Sequence, residues 1–453
     1  MRLNPGQKSD QRAMKEQVDL ILQPQWILPI VPAEQVYEGC ALVIHQGLIV
    51  ALLPVAEAER RYQPDKTIKL PSQVLMPGLV NAHGHSAMSL LRGYADDLEL
   101  HDWLENHIWP AESRWVSEDF VRDGTRHAIA EMIRSGTTSF SDTYFFPEVA
   151  VEVAVSAGMR MRAAFPVFEF PTAWGRNADE YIHKGLALRD HYKGHELIDI
   201  AFGPHAPYTV EDKTFERIAM LSEELDARIH LHLHESAQEV EDSLKLRGVR
   251  PIERMETLGI LGPRTETVHM TQLTDPDIEL VARYNSAVIH CPKSNMKLAS
   301  GICPVQQLRE TGIQMALGTD GAASNNRLDM FSELNAASLL AKVSSRNPTA
   351  LNAFDSLKMA TLDGARVLGL DDKTGSLEVG KQADMISVTL NSIYSQPLYQ
   401  VASQLVYSSS ASQVTNSWVS GRQLLENGKL TTIHEQELLA KSLEWANQIA
   451  GRA

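Results

Sequence analysis

Covalent ties, membrane-length apolar runs and excess positive charge are all scarce in this chain of 453 residues. Only Cys40, Cys291 and Cys303 are present. Three scattered thiols cannot build a disulfide framework, so packing and hydrogen bonds must hold the fold, and a reducing compartment is expected. The longest apolar stretches, such as Ile27 to Val31 and Ala41 to Val55, are short or broken by polar residues and proline. None reaches the roughly 18 residues that would suggest a membrane span. Lys and Arg number 42 against 57 Asp and Glu, a formal charge of −15, and no basic block is long enough to follow a phosphate backbone. A small molecule is therefore the expected partner, with neither nucleic acid nor membrane. The opening "MRLNPGQKSDQRAMKEQ" lacks the basic-then-apolar order of a secretory signal, which leads to the expectation of a polar tail over residues 1–16 and a cytoplasmic location.

With 43% hydrophobic and 22% charged residues, there is material for one large core and a smaller second one. The chain ends read as β-rich. "VDLILQPQWILPI", "GCALVIHQGLIVALLP" and "TIKLPSQVLM" at the front, with "GSLEVGKQADMISVTL" and "SQLVYSSSASQVTNSWVSGRQLLENGKL" at the back, carry aliphatic runs punctuated by Gly, Pro and Gln, as hairpins do. In the middle, short apolar runs alternate with amphipathic stretches such as Ser117 to Arg134, Phe215 to Ala227 and Ala336 to Lys342, a βα alternation that signals a parallel sheet.

Eight strand candidates follow: "VLMPGLVNAHGH", "GTTSFSDTYF", "RMRAAFPVF", "IDIAFGPHA", "ARIHLHLHES", "ETVHMTQLT", "SAVIHCPKS" and "IQMALGTDG". Eight such units fit an α/β fold, a (β/α)8 TIM-like barrel, with a small β-sandwich domain built from both chain ends. The expected division is 17–73 with 376–440 for the sandwich and 74–375 for the barrel. Nearly every candidate strand is apolar first and ends in His, Asp or Glu, which is how the active-site rim of a barrel reads.

Those strand ends suggest a metal. Residues two apart on a strand share a face, so His83 and His85 of "NAHGH" point the same way, with Asn81. "RIHLHLHES" puts His230, His232 and His234 on one face and Leu231 and Leu233 on the other; at most one or two of those histidines can reach a common ion. His269, His290 and Asp320 end the last three strands. Nitrogen and carboxylate ligands together suit a catalytic Zn2+ that keeps a position open for water. HExxH, a CxxC pair and the PCxxC of cytidine deaminases are all missing.

"PGLVNAHGH", "HLHES", "GPHAPYT", "HCPKSNMKLASG" and "GTDGAASNN" together resemble the amidohydrolase superfamily, within it the aminohydrolase branch that deaminates purines, pyrimidines and triazines. "DDLELHDWLENHIWPAE" is similar to the 5-methylthioadenosine/S-adenosylhomocysteine deaminases of that branch, in which the glutamate of this segment binds ribose hydroxyls; here it is Glu112. The resemblance implies that His83, His85, His232 and Asp320 hold the metal, that Glu235 acts on the ring nitrogen, that His205 contacts substrate and that His269 sits beside the reacting water. The strand-four lysine of dinuclear members is lacking, which implies one ion per subunit, zinc first, with iron, manganese or cobalt also suited to His/Asp ligands.

Hydrolysis of an aminated heterocycle needs a strong nucleophile at neutral pH, which a metal supplies by lowering the pKa of water to about 7. It also needs an acid, and the expectation is that Glu235 protonates adenine N1 while Asp320 relays the water proton toward departing ammonia and His269 orients the nucleophile. The implied substrate is a small nucleoside, 5'-methylthioadenosine and/or S-adenosylhomocysteine, converted to the inosyl product. The homocysteine carboxylate calls for an arginine, with Arg160, Arg162 and Arg176 as candidates and Arg176 taken as the contact. Trp109 lies close enough to Glu112 to wall the pocket, while Trp103 and Trp115 read as packing. His230, His234 and His290 read as core or supporting residues. The alternatives are a hydrolase of guanine, 8-oxoguanine, cytosine or a chlorotriazine, or a non-catalytic barrel scaffold. Homo-oligomerisation stays open.

Overall fold

A computed structural model describes residues 15–451. All eight candidate runs form strands: Leu79–Asn81, Thr137–Asp142, Arg160–Val167, Ile198–Pro204, Ile229–Leu233, Thr265–His269, Ala287–His290 and Met315–Leu317. They pair in parallel with their sequence neighbours. The seam between first and last is closed just beyond the strand ends, where Ala82 N donates to Leu317 O at 2.9 Å and Asp320 N to His83 O at 3.0 Å. Closure therefore sets Asp320 beside His83, although 236 positions separate them in the sequence numbering. Gly318 makes this approach feasible, since a Cβ there would lie 2.8 Å from the Cβ of His83.

Helices cover the outside of the barrel, so its strands are buried on both faces. The helix Glu118–Arg134 shows how one is specified. Ser117 caps it by accepting from Phe120 N at 3.2 Å, Glu118 and Asp119 favour its positive end, and Phe120, Val121, Ile129 and Ile133 turn inward.

The two chain ends meet in a nine-stranded mixed sheet. Its front part comes from Glu16–Ile27, Tyr37–Glu38, Cys40–His45, Leu48–Pro54 and Tyr62–Pro77, and its back part from Met385–Thr389, Val414–Val419, Arg422–Glu426 and Lys429–Leu430. They join where Met385 pairs with Pro77 in an antiparallel ladder. The sheet folds over a shared core of Leu20, Leu42, Ile49, Leu70, Met385 and Trp418, in the manner of a sandwich. A buried ion pair ties it to the barrel, with Arg160 Nε donating to Asp384 Oδ2 at 2.9 Å.

Of the segment read as a tail, residues 1–14 lie outside the described residues, and Glu16 opens the first strand. The final helix, Glu435–Ile449, returns to the barrel: Trp445 packs edge-on against Phe120 and donates to Asp123 at 2.9 Å. Among the described residues no helix is long and apolar enough to cross a membrane.

Candidate active site

The strand ends bring His83, His85, His232, His269 and Asp320 together. Ligand atoms of His83, His85 and His232 all lie within 4.8 Å of one another, as do those of His83, His269 and Asp320. Asp320 Oδ1 is 3.3 Å from His83 Nε2 and 3.2 Å from His85 Nε2. The other carboxylate oxygen, Oδ2, accepts from Ser294 Oγ at 2.6 Å and Ser324 Oγ at 2.9 Å, which fixes how the group faces the cage.

Each of the three cage histidines has its Nδ1 already engaged: His83 with His230 Nε2 at 2.8 Å, His85 with Thr143 O at 2.6 Å, and His232 with His205 O at 2.7 Å. A backbone carbonyl only accepts, so His85 and His232 carry their protons on Nδ1 and present bare Nε2 lone pairs to the centre. His83 Nε2 is fully buried with no hydrogen-bond partner among the described residues, an orphan that a cation would satisfy. Three imidazoles and a carboxylate, held by outer hydrogen bonds, fit a divalent metal of the zinc type. Asp320 at φ +61° and His269 at φ +77° both adopt the left-handed backbone region. Such positions cost on the order of 1–3 kcal/mol each and persist where the surroundings enforce them, as the seam bond from Asp320 N does here.

Two groups beside the cage suit proton chemistry. Burial, reinforced by the charges of Asp320 and Glu239, pushes the Glu235 carboxyl well above the usual carboxylate range, toward its protonated form. Its backbone N–H donates to Glu239 Oε2 at 2.8 Å and its carbonyl accepts from Thr271 Oγ1 at 2.7 Å, so its position is set from both ends. His269 Nε2 lies 3.7 Å from Glu235 Oε2. Burial lowers the His269 pKa to about 4, and Asn295 Nδ2 sits 2.9 Å from its Nδ1. With Asn295 donating there, the neutral ring carries its proton on Nε2, toward the cage, where it can hold an oxygen atom.

A cavity of about 1250 Å³, including its mouth, opens from this cage and is lined by His85, Glu112, Phe168, His205, Glu235 and Asp320 among others. Its far wall is the segment 100–115, in which Leu100–Trp103 and Trp109–Trp115 flank a π-helical turn at Leu104–Ile108. Glu99 caps the start by accepting from His101 N at 3.0 Å and Asp102 N at 3.3 Å. Trp109 and Glu112 both face the cavity. Tyr144 OH donates to Glu112 Oε1 at 2.7 Å, and burial raises this carboxyl to about 7. His205 stacks on Phe168 at 4.9 Å between ring centres, with its Nδ1 on Thr209 Oγ1 at 3.0 Å.

The sequence profile of the amidohydrolase family matches residues 74–424. The chain belongs to the amidohydrolase family. A curated relative from Teredinibacter turnerae, named 5-methylthioadenosine/S-adenosylhomocysteine deaminase, is 49% identical over 435 residues, covering 96% of this chain and 98% of that one. A 5'-deoxyadenosine deaminase from Methanobrevibacter smithii is 40% identical over 381 residues, 83% of this chain and 87% of the relative. Among solved structures, an adenosine deaminase from Xanthomonas campestris with bound zinc superposes with a TM-score of 0.96 at 46% identity, covering 97% of this chain and all of that one. An atrazine chlorohydrolase from Arthrobacter aurescens, at TM-score 0.88 and 22% identity over 94% of this chain and 100% of that one, shares the fold.

Within this amidohydrolase the structure gathers His83, His85, His205, His232, Glu235, His269, Asp320, Glu112 and Trp109 about one cavity and leaves the arginines outside it. Arg176 points to solvent with its side chain 84% exposed and pairs with Glu180 Oε2 at 2.6 Å, because the two stand four residues apart at a helix start capped by Asn177. Arg160 is committed to Asp384, and Arg162 to Glu266 Oε1 at 2.6 Å and Asp199 Oδ2 at 2.7 Å; both lie near the start of their strand, away from the rim. His234 is structural, accepting from Ile252 N at 3.1 Å through Nε2. Both ring nitrogens of His290 are buried without a partner among the described residues.

The sequence reading did not single out Tyr144, Ser294, Asn295 or Ser324. Ser294, Asn295 and Ser324 lie inside "HCPKSNMKLASG" and "GTDGAASNN" and Tyr144 inside "GTTSFSDTYF", but those stretches gave no role to any of the four.

Proposed function

We propose that this amidohydrolase is a zinc-dependent deaminase of adenosine-type nucleosides, acting on 5'-methylthioadenosine and S-adenosylhomocysteine to give the inosyl product and ammonia. One juxtaposition carries the reading: the buried Glu235, its carboxyl pushed toward the protonated form, beside a histidine/carboxylate cage, with the buried carboxylate of Glu112 across the same cavity. The names of the relatives agree with it. One Zn2+ would be held by Nε2 of His83, His85 and His232 and a carboxylate oxygen of Asp320. When bound it supplies Lewis acidity that brings the pKa of a water to about 7.

The remaining chemistry belongs to side chains. Glu235 donates its proton to adenine N1, so the electron pair displaced from the ring as water oxygen bonds to C6 is neutralised on nitrogen. Asp320 accepts the water proton and returns it to the exocyclic amine, which leaves as ammonia when the C6–N bond breaks and the C6 hydroxyl becomes the carbonyl, its proton returning to Glu235. His269 Nε2–H holds the incoming oxygen on the face of the ring, and His205 contacts the substrate near the cage. Glu112, oriented by Tyr144, keeps Oε2 for the ribose hydroxyls, and Trp109 walls that end of the pocket.

The test is an ultraviolet deamination assay of the zinc-loaded protein against 5'-methylthioadenosine, S-adenosylhomocysteine, adenosine, guanine, cytosine and a chlorotriazine. Turnover of the adenosine-type nucleosides above the free bases and triazine is the expected result. Turnover confined to guanine, cytosine or the triazine would refute it.

A further inference from the structure

Three side chains with no exposed surface run inward from the cage: His83, His230 and Glu266. His83 Nδ1 lies 2.8 Å from His230 Nε2, and His230 Nδ1 lies 2.9 Å from Glu266 Oε2. Glu266 Oε1 accepts from Arg162 Nη1 at 2.6 Å, with the Arg228 guanidinium 3.8 Å away. The two rings lie within 20° of parallel with their centres 5.0 Å apart, edge to edge, as the contact between their nitrogens requires.

This arrangement differs from that of the other two cage histidines. His85 and His232 meet backbone carbonyls, which accept and never donate, so each ring has one possible proton position. His83 meets another imidazole, which can do either. If His230 carried its proton on Nε2 it would donate to His83 Nδ1, forcing the His83 proton onto Nε2, where it would block a cation. If His230 carries its proton on Nδ1, its Nε2 accepts from His83 and leaves His83 Nε2 bare. The pair alone is ambiguous. For a neutral His230 ring Glu266 removes the ambiguity, because an ionised carboxylate only accepts and so requires the one proton on His230 Nδ1. The Arg162 guanidinium beside it, working against burial, holds Glu266 below the ordinary carboxylate range and therefore ionised.

We propose that His230 and Glu266 form a tautomer lock that holds the His83 Nε2 lone pair open for the metal. They are positioning residues: neither touches substrate, and both act through His83. The proposal rests on the reading above that His83 is a ligand.

The experiment uses full-length protein stripped of metal, with zinc affinity measured by competition against a chromophoric chelator. His230→Leu leaves the His83 Nδ1–H unpaired and removes the lock, and zinc affinity is expected to fall about 10–100-fold. His230→Gln keeps an oxygen to accept from His83 and an amide to donate to Glu266, so it is expected to restore affinity to within about threefold of wild type, a rescue that loss of packing alone would not allow. In zinc-loaded wild-type protein labelled with ¹⁵N-histidine, the resonances lost in His230→Gln should show a neutral ring protonated on Nδ1 and bare on Nε2. This spectrum decides the matter even if the leucine variant does not fold. A folded leucine variant with wild-type affinity, a glutamine variant as weak as the leucine one, or a His230 protonated on Nε2 overturns the lock. Wild-type protein that binds no zinc overturns the assignment of His83 as a ligand, and the lock with it.

Discussion

The metal cage and the cavity wall opposite it are built by different means. The cage sits on the ends of parallel strands whose register is set by the ladders around the whole barrel, and each ligand is steered by a further hydrogen bond, from Ser294 on Asp320 to Thr143 O on His85. The wall is one connecting segment, 100–115, holding its shape through the Glu99 cap and the link from Glu112 to Tyr144. The first region is over-determined, the second lightly held. On the proposed reading the contrast separates two duties: strand ends fix the reaction, and the connecting segment fixes which molecule is presented to it.

Disturbing the cage should abolish chemistry, whereas disturbing the wall should change binding. The largest effect is expected on metal removal. Chelation should eliminate turnover, and added zinc should restore it, as followed by ammonia release; undiminished turnover in metal-free protein would break the account of the cage. Next comes Glu235→Gln, which cannot deliver a proton to N1. It should lower kcat about 10²-fold or more while zinc content stays at the wild-type level, measured side by side on one preparation.

On the wall, the effect is one of pH. Burial disfavours the charged form of Glu112 and raises its carboxyl to about 7, so the ionised acceptor that the ribose hydroxyls need is populated only as pH rises through that value. For ribosides kcat/KM should fall about tenfold per unit on acidification below pH 7, with a shallower profile in Glu112→Gln. The smallest effect is expected at Asn295→Ala, which frees His269 Nδ1 and should cost about fivefold in kcat, roughly 1 kcal/mol for one hydrogen bond, with KM little changed.

What was legible in the sequence follows the same division. Strands buried on two faces and ending in polar residues leave a pattern in any single sequence, which put His83, His85 and Asp320 at one rim with one or two of His230, His232 and His234; the choice of His232 and the role of Glu235 came from the resemblance, and the barrel does bring all five chosen residues together. The shape of the wall was legible only through a resemblance, because a lone glutamate such as Glu112 has no periodicity of its own. The arginine expected at the thioether end, Arg176, pairs instead with Glu180 one helical turn on, a competition that residue type alone does not reveal. Other features were out of reach altogether. The carbonyls of Thr143 and His205 that orient two ligands are backbone groups common to every sequence. Ser294, Asn295 and Ser324 are ordinary polar residues until the barrel closes around them.

The central claim, that the cage performs the reaction while Glu112 recognises the ribose, is tested most directly by comparing 5'-methylthioadenosine with its 2',3'-dideoxy analogue in wild type and in Glu112→Ala. Hydrogen bonds to a buried carboxylate are worth about 1.5–3 kcal/mol, so wild-type kcat/KM should favour the riboside by roughly 10–100-fold. The variant should treat the two alike. A variant that keeps the full wild-type preference, or a zinc-loaded wild type that turns over neither compound, would contradict it.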